Sequence, residues 1–164
     1  MELLHKLKRP RGVIRMNVSR HGKLLWKAEF ENLFVNAGLP ALAALLAGDT
    51  AGEFAAAIGF GSGTAAPLVT DTGLTAPVYY KALASHSEDG SGDVTLNWTL
   101  ASSGGTGDTG AIGITITELG LFGNTGSVSL PGTTAPAPLL ARRTIAPIAF
   151  ASGMNITGSW TFTF

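Results

Sequence analysis

Glu118 is the residue whose type and position most invite chemistry. It falls in phase with Ile112, Ile114 and Ile116, which alternate with Gly113, Thr115 and Thr117, so a strand carrying them would turn its carboxylate inward. A buried carboxylate must be paired or protonated. One use for such a group is as the general acid of a polysaccharide-cleaving enzyme, which needs a second carboxylate at a set distance. The other is a structural ion pair with Arg142 or Arg143, in the segment from Leu139 to Ile145 that reads as a strand. No second carboxylate falls in any strand near Glu118, so the sequence favours the ion pair and predicts no catalytic residue.

The remaining constellations are weaker. His5, His21 and His86 fall in an N-terminal arm, a turn and a strand end, with no spacing that brings two together as metal ligands. Asp89, Ser91 and Asp93 imitate the first three ligand positions of a calcium loop, but the place of its bidentate Glu is taken by Leu100, inside an expected strand. The run Gly59-Phe60-Gly61-Ser62-Gly63-Thr64 has the glycines of a phosphate cradle. It leads into Ala65-Ala66-Pro67 rather than a helix and lacks a lysine, so it reads as a tight turn. Asn97-Trp98-Thr99 and Asn155-Ile156-Thr157 match a glycosylation triplet, yet both lie in expected strands and nothing is read into them. The chain has no cysteine, which excludes disulfides and thiolate metal sites. No metal, cofactor or small-molecule substrate is expected.

Charge is balanced in total and uneven along the chain. From Met1 to Lys27 eight basic residues face Glu2 alone, a surplus of +7, whereas from Ala28 to Ala141 only Lys81 opposes ten acids, −9. Such polarity predicts a basic segment that meets an acidic surface, in the same oligomer or on another protein. Its candidate docking residues are Lys6, Lys8, Arg9, Arg11, Arg15, Arg20 and Lys23. Nucleic acid competes as a partner, since Trp26 could stack on a base between phosphate-neutralising cations. Trp26 alternates with Leu24, Ala28 and Phe30, however, and reads better as core, so nucleic acid is not the expected partner.

The elements that position these residues are mostly strands. With 164 residues, 22 glycines and only 13% charged residues, the composition fits one all-β domain with many turns. Residues 1–12 read as a basic arm with Leu3, Leu4 and Leu7 as docking points, and 13–164 as the single domain. Within it, 13–30 alternates as a hairpin turning at His21-Gly22, and about 39–47 is a helix with Pro40 in its first turn and Gly48 as its stop. That helix is apolar nearly all round, which predicts a plug buried on several sides and closing one end of the fold. The body, 54–164, holds expected strands at Phe54–Phe60, Val78–Ser85, Val94–Leu100, from Ile112, Leu139–Ile145 and Asn155–Phe164, the second and third paired with each other. The fold class expected is mainly β: an antiparallel, jelly-roll-like β-sandwich with one short apolar helix and a basic N-terminal hairpin and arm. No signal peptide is legible, and no apolar run reaches the ~20 residues of a membrane span.

Taken together, the basic hairpin, NLFVNAGLPALAALLAG, IGFGSGTAAPLVTDTGLTAP, ITELGLFG, LLARRTIAPI and the closing MNITGSWTFTF resemble small virion structural proteins of tailed bacteriophages, over about Gly12 to Phe164. The ITELGLFG and LLARRTIAPI pair looks like the end of tail-collar and tail-fibre N-terminal domains, in which a β-sandwich docks a fibre onto a baseplate. The resemblance implies a non-enzymatic component at the tail tip or baseplate, made in the bacterial host cytoplasm and incorporated in the virion. It would assemble in symmetric copies, a trimer by analogy, with other virion proteins as partners. A capsid decoration protein is the alternative within this class. A carbohydrate-binding or polysaccharide-degrading tail domain is the alternative outside it, and would need exposed aromatic residues.

Overall fold

The computed structural model describes residues 11–48, 54–102, 107–123 and 129–164. The chain opens with a hairpin, β1 (Arg11–Arg20) and β2 (Lys23–Glu31), whose two-residue turn has both His21 (φ 48°) and Gly22 (φ 78°) in the left-handed region. That pairing is the turn geometry whose twist matches two antiparallel strands. A short β3 (Leu33–Phe34) and a 3-10 turn (Asn36–Gly38) lead into α1 (Leu39–Leu46). The body follows as β4 (Ala55–Gly61), β5 (Pro77–Ala82), β6 (Ser85–Glu88), β7 (Asp93–Ala101), β8 (Thr115–Gly123), β9 (Leu139–Ala149) and β10 (Met154–Thr163).

These strands form two antiparallel five-stranded sheets, β2-β1-β10-β7-β6 and β3-β9-β8-β4-β5, packed as a β-sandwich. The first and last long strands are neighbours, Arg11 opposite Thr163 and Arg20 opposite Met154, so the C-terminal strand is central in its sheet. The core between the sheets joins Ile14, Trp98, Trp160 and Ile156 of the first sheet to Ile58, Phe60, Leu119 and Leu121 of the second. A smaller apolar cluster, including Val35, Leu74, Tyr80 and Phe122, covers the outer face of the second sheet. Gly158 lies opposite Trp98, and a Cβ there would stand 2.2 Å from the indole, so the glycine makes room for the largest core side chain.

The structure departs from the sequence expectations in four places. β1 begins at Arg11, two residues before the strand start expected at Val13, because Gly12 and Asn32 meet across the hairpin's open end. The expected strand from Val78 to Ser85 is two strands in different sheets. The Leu83 amide bonds to Ala56 in one sheet and the Ala84 amide to Asn97 in the other, so only β6 pairs with β7. Ile112 precedes β8 in a turn with Gly113 at φ 92° and is 39% exposed. Finally, α1 is less covered than an apolar helix predicts. Ala41 is buried, while Leu39, Ala43 and Leu45 are exposed. Among the described residues no helix is long and apolar enough to cross a membrane.

Candidate functional site

The site built around Glu118 starts from an irregularity in β8. The pairing with β9 shifts between Ile116 and Glu118, so Ile116 joins the inter-sheet core with Leu119 and Leu121 while Glu118 turns to the outer face of its sheet. There it is fully buried beneath the loop that joins β4 to β5. The inward phase expected for Glu118 is thus broken by the bulge, and its burial comes from a loop.

Every lone pair of this carboxylate is engaged. Its Oε1 accepts from the amides of Gly63 (3.1 Å) and Ala76 (2.8 Å), and its Oε2 from the Thr75 amide (3.1 Å) and from Arg142 Nε (2.9 Å) and Nη2 (2.7 Å). The Arg142 guanidinium, equally buried, also donates Nη1 to Asp71 Oδ2 (2.7 Å) and Nη2 to the Ala65 carbonyl (3.0 Å) and Thr75 Oγ1 (2.6 Å). Burial works against charge on Arg142, and its bonds to Asp71 and Glu118 outweigh it, raising its pKa above the ordinary arginine value. Burial likewise opposes charge on Asp71. The Leu68 amide and Arg142 prevail and hold that carboxyl below its usual range. One guanidinium and one carboxylate therefore fasten five points of a loop that has no regular structure of its own.

The glycine run after β4 belongs to this site. A Cβ on Gly61 or on Gly63 would stand 2.5 Å from Glu118 Oε1, so these glycines let the backbone close on a carboxylate. The run does cradle an anion, and the anion is the protein's own. Arg143 takes no part. Successive strand residues face opposite ways, and its guanidinium lies 5.6 Å from the centre of the Phe30 ring, towards the other sheet. Asp71, the second carboxylate on Arg142, comes from the loop, where no hydrophobic period marks it.

A second polar centre escaped sequence reading. Asp108, buried, accepts from Tyr79 Oη (3.0 Å), Lys81 Nζ (2.7 Å) and the Ala101 amide (2.9 Å). Burial and the adjacent carboxylate push the Tyr79 phenol up to about 12. Tyr80 is raised as well, by burial and by the charge of Glu118. The calcium-like run is a self-contained turn, in which Asp89 Oδ1 accepts from the Ser91 amide and hydroxyl and from the Asp93 amide. Among the described residues no group of three His, Asp or Glu side chains could hold a metal ion.

The candidate docking cations divide in two. Lys6, Lys8 and Arg9 lie outside the described residues. Arg11 and Arg15 face Glu31 (3.6 Å) and Glu29 (2.8 Å) across the hairpin, which neutralises that end. Arg20 and Lys23 sit opposite each other at the tip, both exposed and with no acidic partner among the described residues. Leu24 and Leu25 next to them are each 55% exposed. Trp26 is half-buried and packs against Phe30, with ring centres 6.3 Å apart. At the opposite end of the sandwich an apolar groove of about 480 Å³ opens between α1 and the two sheets, walled by Ala41, Leu42, Leu45, Leu140, Phe162 and Phe164. Comparison with protein-family models, with curated proteins and with solved structures finds no match, so these residues are the ground for any functional reading.

Proposed function

We propose that the chain is a non-enzymatic structural component of a tailed-phage virion, at the tail tip or baseplate, where it docks neighbouring tail or fibre subunits. The observation that carries this reading is how the chemistry-bearing residues are spent. The buried acid, the arginine beside it and the glycine run are saturated by one another and hold a loop rigid, which suits a part that must bear load and keep its shape. Among the described residues the hairpin tip keeps its charge unpaired, with Arg20 and Lys23 around exposed Leu24 and Leu25. An apolar centre rimmed by like charge suits an acidic protein partner, the charge steering encounter and the leucines supplying buried area.

The combination of motifs from the hairpin to MNITGSWTFTF supports the virion assignment, and the long β2 edge gives subunits a strand to meet on. All three tryptophans fall in the apolar phase of strands, with Trp98 and Trp160 buried, which speaks against a carbohydrate-binding surface. Immunogold labelling of intact particles tests the proposal. Label at the tail end is the expected result; label on the head would replace it with capsid decoration, and absence from particles would overturn both.

A further inference from the structure

The longest open edge of the sandwich is β2. Among the outermost strands, β3 and β6 have two and four residues, and β5 is bridged at Tyr80 by Gly132 of the β8–β9 connection. β2 runs for nine residues with no strand beyond it among the described residues. An edge of this length is a template for another strand unless proline or an inward-turned charge blocks it. β2 has neither. Its inner face carries Trp26, Ala28 and Phe30, and the two aromatic rings pack on the margin of the core while staying only half-buried. Its outer face carries exposed Lys27, Glu29 and Glu31.

The hydrogen-bond phase of this edge is set at Asn32, whose amide donates to the Gly12 carbonyl (3.0 Å). Bonding groups alternate along an antiparallel strand, so Phe30, Ala28 and Trp26 turn theirs towards β1, while Glu31, Glu29 and Lys27 turn theirs to the open side. An added antiparallel strand must set its own outward-bonding residues opposite these three. If that strand is β2 of a second copy, the two-fold axis passes through one residue, and charge selects which. At Lys27 the axis sets lysine against lysine, at Glu29 glutamate against glutamate, and at Phe30 it sets Glu29 against Glu31. At Trp26 it carries the pair into the register shift at Leu25. At Ala28 it sets Lys27 opposite Glu29 and Trp26 opposite Phe30, each on both sides of the axis, with a small side chain on the axis itself. Lys27 is free to take this role: it lies opposite Asn17 and makes no ion pair among the described residues.

We propose that two copies of this chain pair antiparallel through β2 about a two-fold axis at Ala28. Lys27 of each copy meets Glu29 of the other and exchanges both backbone bonds with it, and the half-buried Trp26 and Phe30 of each copy are covered by Phe30 and Trp26 of the other. The two sheets that contain β2 become one continuous sheet. This gives the β2 edge one partner, and it does not rest on the virion reading, since it concerns chains free in solution.

Reversing charge tests it on the full chain. Lys27→Glu and Glu29→Lys each put like charges opposite on both sides of the axis, and each should weaken dimerisation about tenfold in sedimentation equilibrium, with far-ultraviolet dichroism unchanged. Mixed in equal amounts, the two variants regain both opposite-charge pairs and should associate as tightly as the wild type. A mixture no more associated than its components would overturn the proposal, and so would a wild type that stays monomeric at every concentration or a dimer indifferent to either reversal. A covalent readout uses the absence of native cysteine. Across the axis the Ala28 Cα atoms would lie about 4.5 Å apart, within disulfide reach, so Ala28→Cys should link two chains under mild oxidation several-fold faster than Lys23→Cys, although Lys23 is the more exposed site. Equal or reversed rates would also overturn it.

Discussion

Glu118 and Arg142 show how a charge can be buried without being available. Removing one partner of such a pair leaves the other charged and unsolvated, at a cost of about 3–5 kcal/mol, whereas replacing the pair with apolar side chains is close to neutral. Glu118→Gln should therefore lower unfolding free energy by about that amount in denaturant titrations, and Arg142→Met added to it should recover part of the loss. No change in Glu118→Gln would mean that the five bonds to its carboxylate are not what fixes the loop. Asp71 adds a pH dependence to the same site. Its folded pKa is lowered, so its contribution is complete above the ordinary carboxylate range and disappears as pH falls through the folded value. The tyrosines respond at the other extreme. There are only two, and both are raised, Tyr79 to about 12. Ultraviolet titration at the phenolate band should show both phenols ionising above the ordinary value near 10. Because the folded state holds these protons longer than the unfolded one, their contribution is full below pH 10 and is lost as pH rises through the folded values. A midpoint near 10 in the folded protein would contradict the burial of Tyr79 against Asp108.

Among the elements, those made by local period were legible in the sequence and those made by a change of partner were not. The β1–β2 hairpin and β10 alternate cleanly and turn at a residue pair that tolerates positive φ, so pattern and turn chemistry agree. The division of β5 from β6 leaves no such trace, because Leu83 and Ala84 simply bond in opposite directions. The bulge after Ile116 likewise moves Glu118 to the other face without altering composition, and Asp71 and Asp108 reach their partners from loops, where period carries no information. Gly158 is the converse case, a residue out of place by strand propensity and explained only by the strand beside it. With Trp98 across it, Gly158→Ala should cost about 1–3 kcal/mol through overpacking, the opposite sign from the gain alanine gives at an unstrained glycine. A variant as stable as the wild type in thermal unfolding would show that Trp98 has another place to lie.

For the molecule as a whole, the decisive asymmetry is between its two ends. At the end where β1 starts, Arg11 and Arg15 are matched by Glu31 and Glu29, and exposed pairs of this kind are worth at most about 1 kcal/mol each. At the tip, Arg20 and Lys23 stand directly opposite one another, an arrangement that costs a little stability and leaves positive charge projecting beside Leu24 and Leu25. Folding has no use for that charge, and the proposed docking does. Arg20→Glu with Lys23→Glu keeps the like-charge repulsion and reverses only its sign, so unfolding free energy should change by less than about 0.5 kcal/mol. Incorporation into particles should fall sharply, and in the wild type it should weaken with added salt, because exposed charges are screened within about 8 Å at physiological ionic strength. Full incorporation of the doubly reversed chain, at unchanged thermal stability, would remove the tip from the docking surface and leave the β2 edge as the contact.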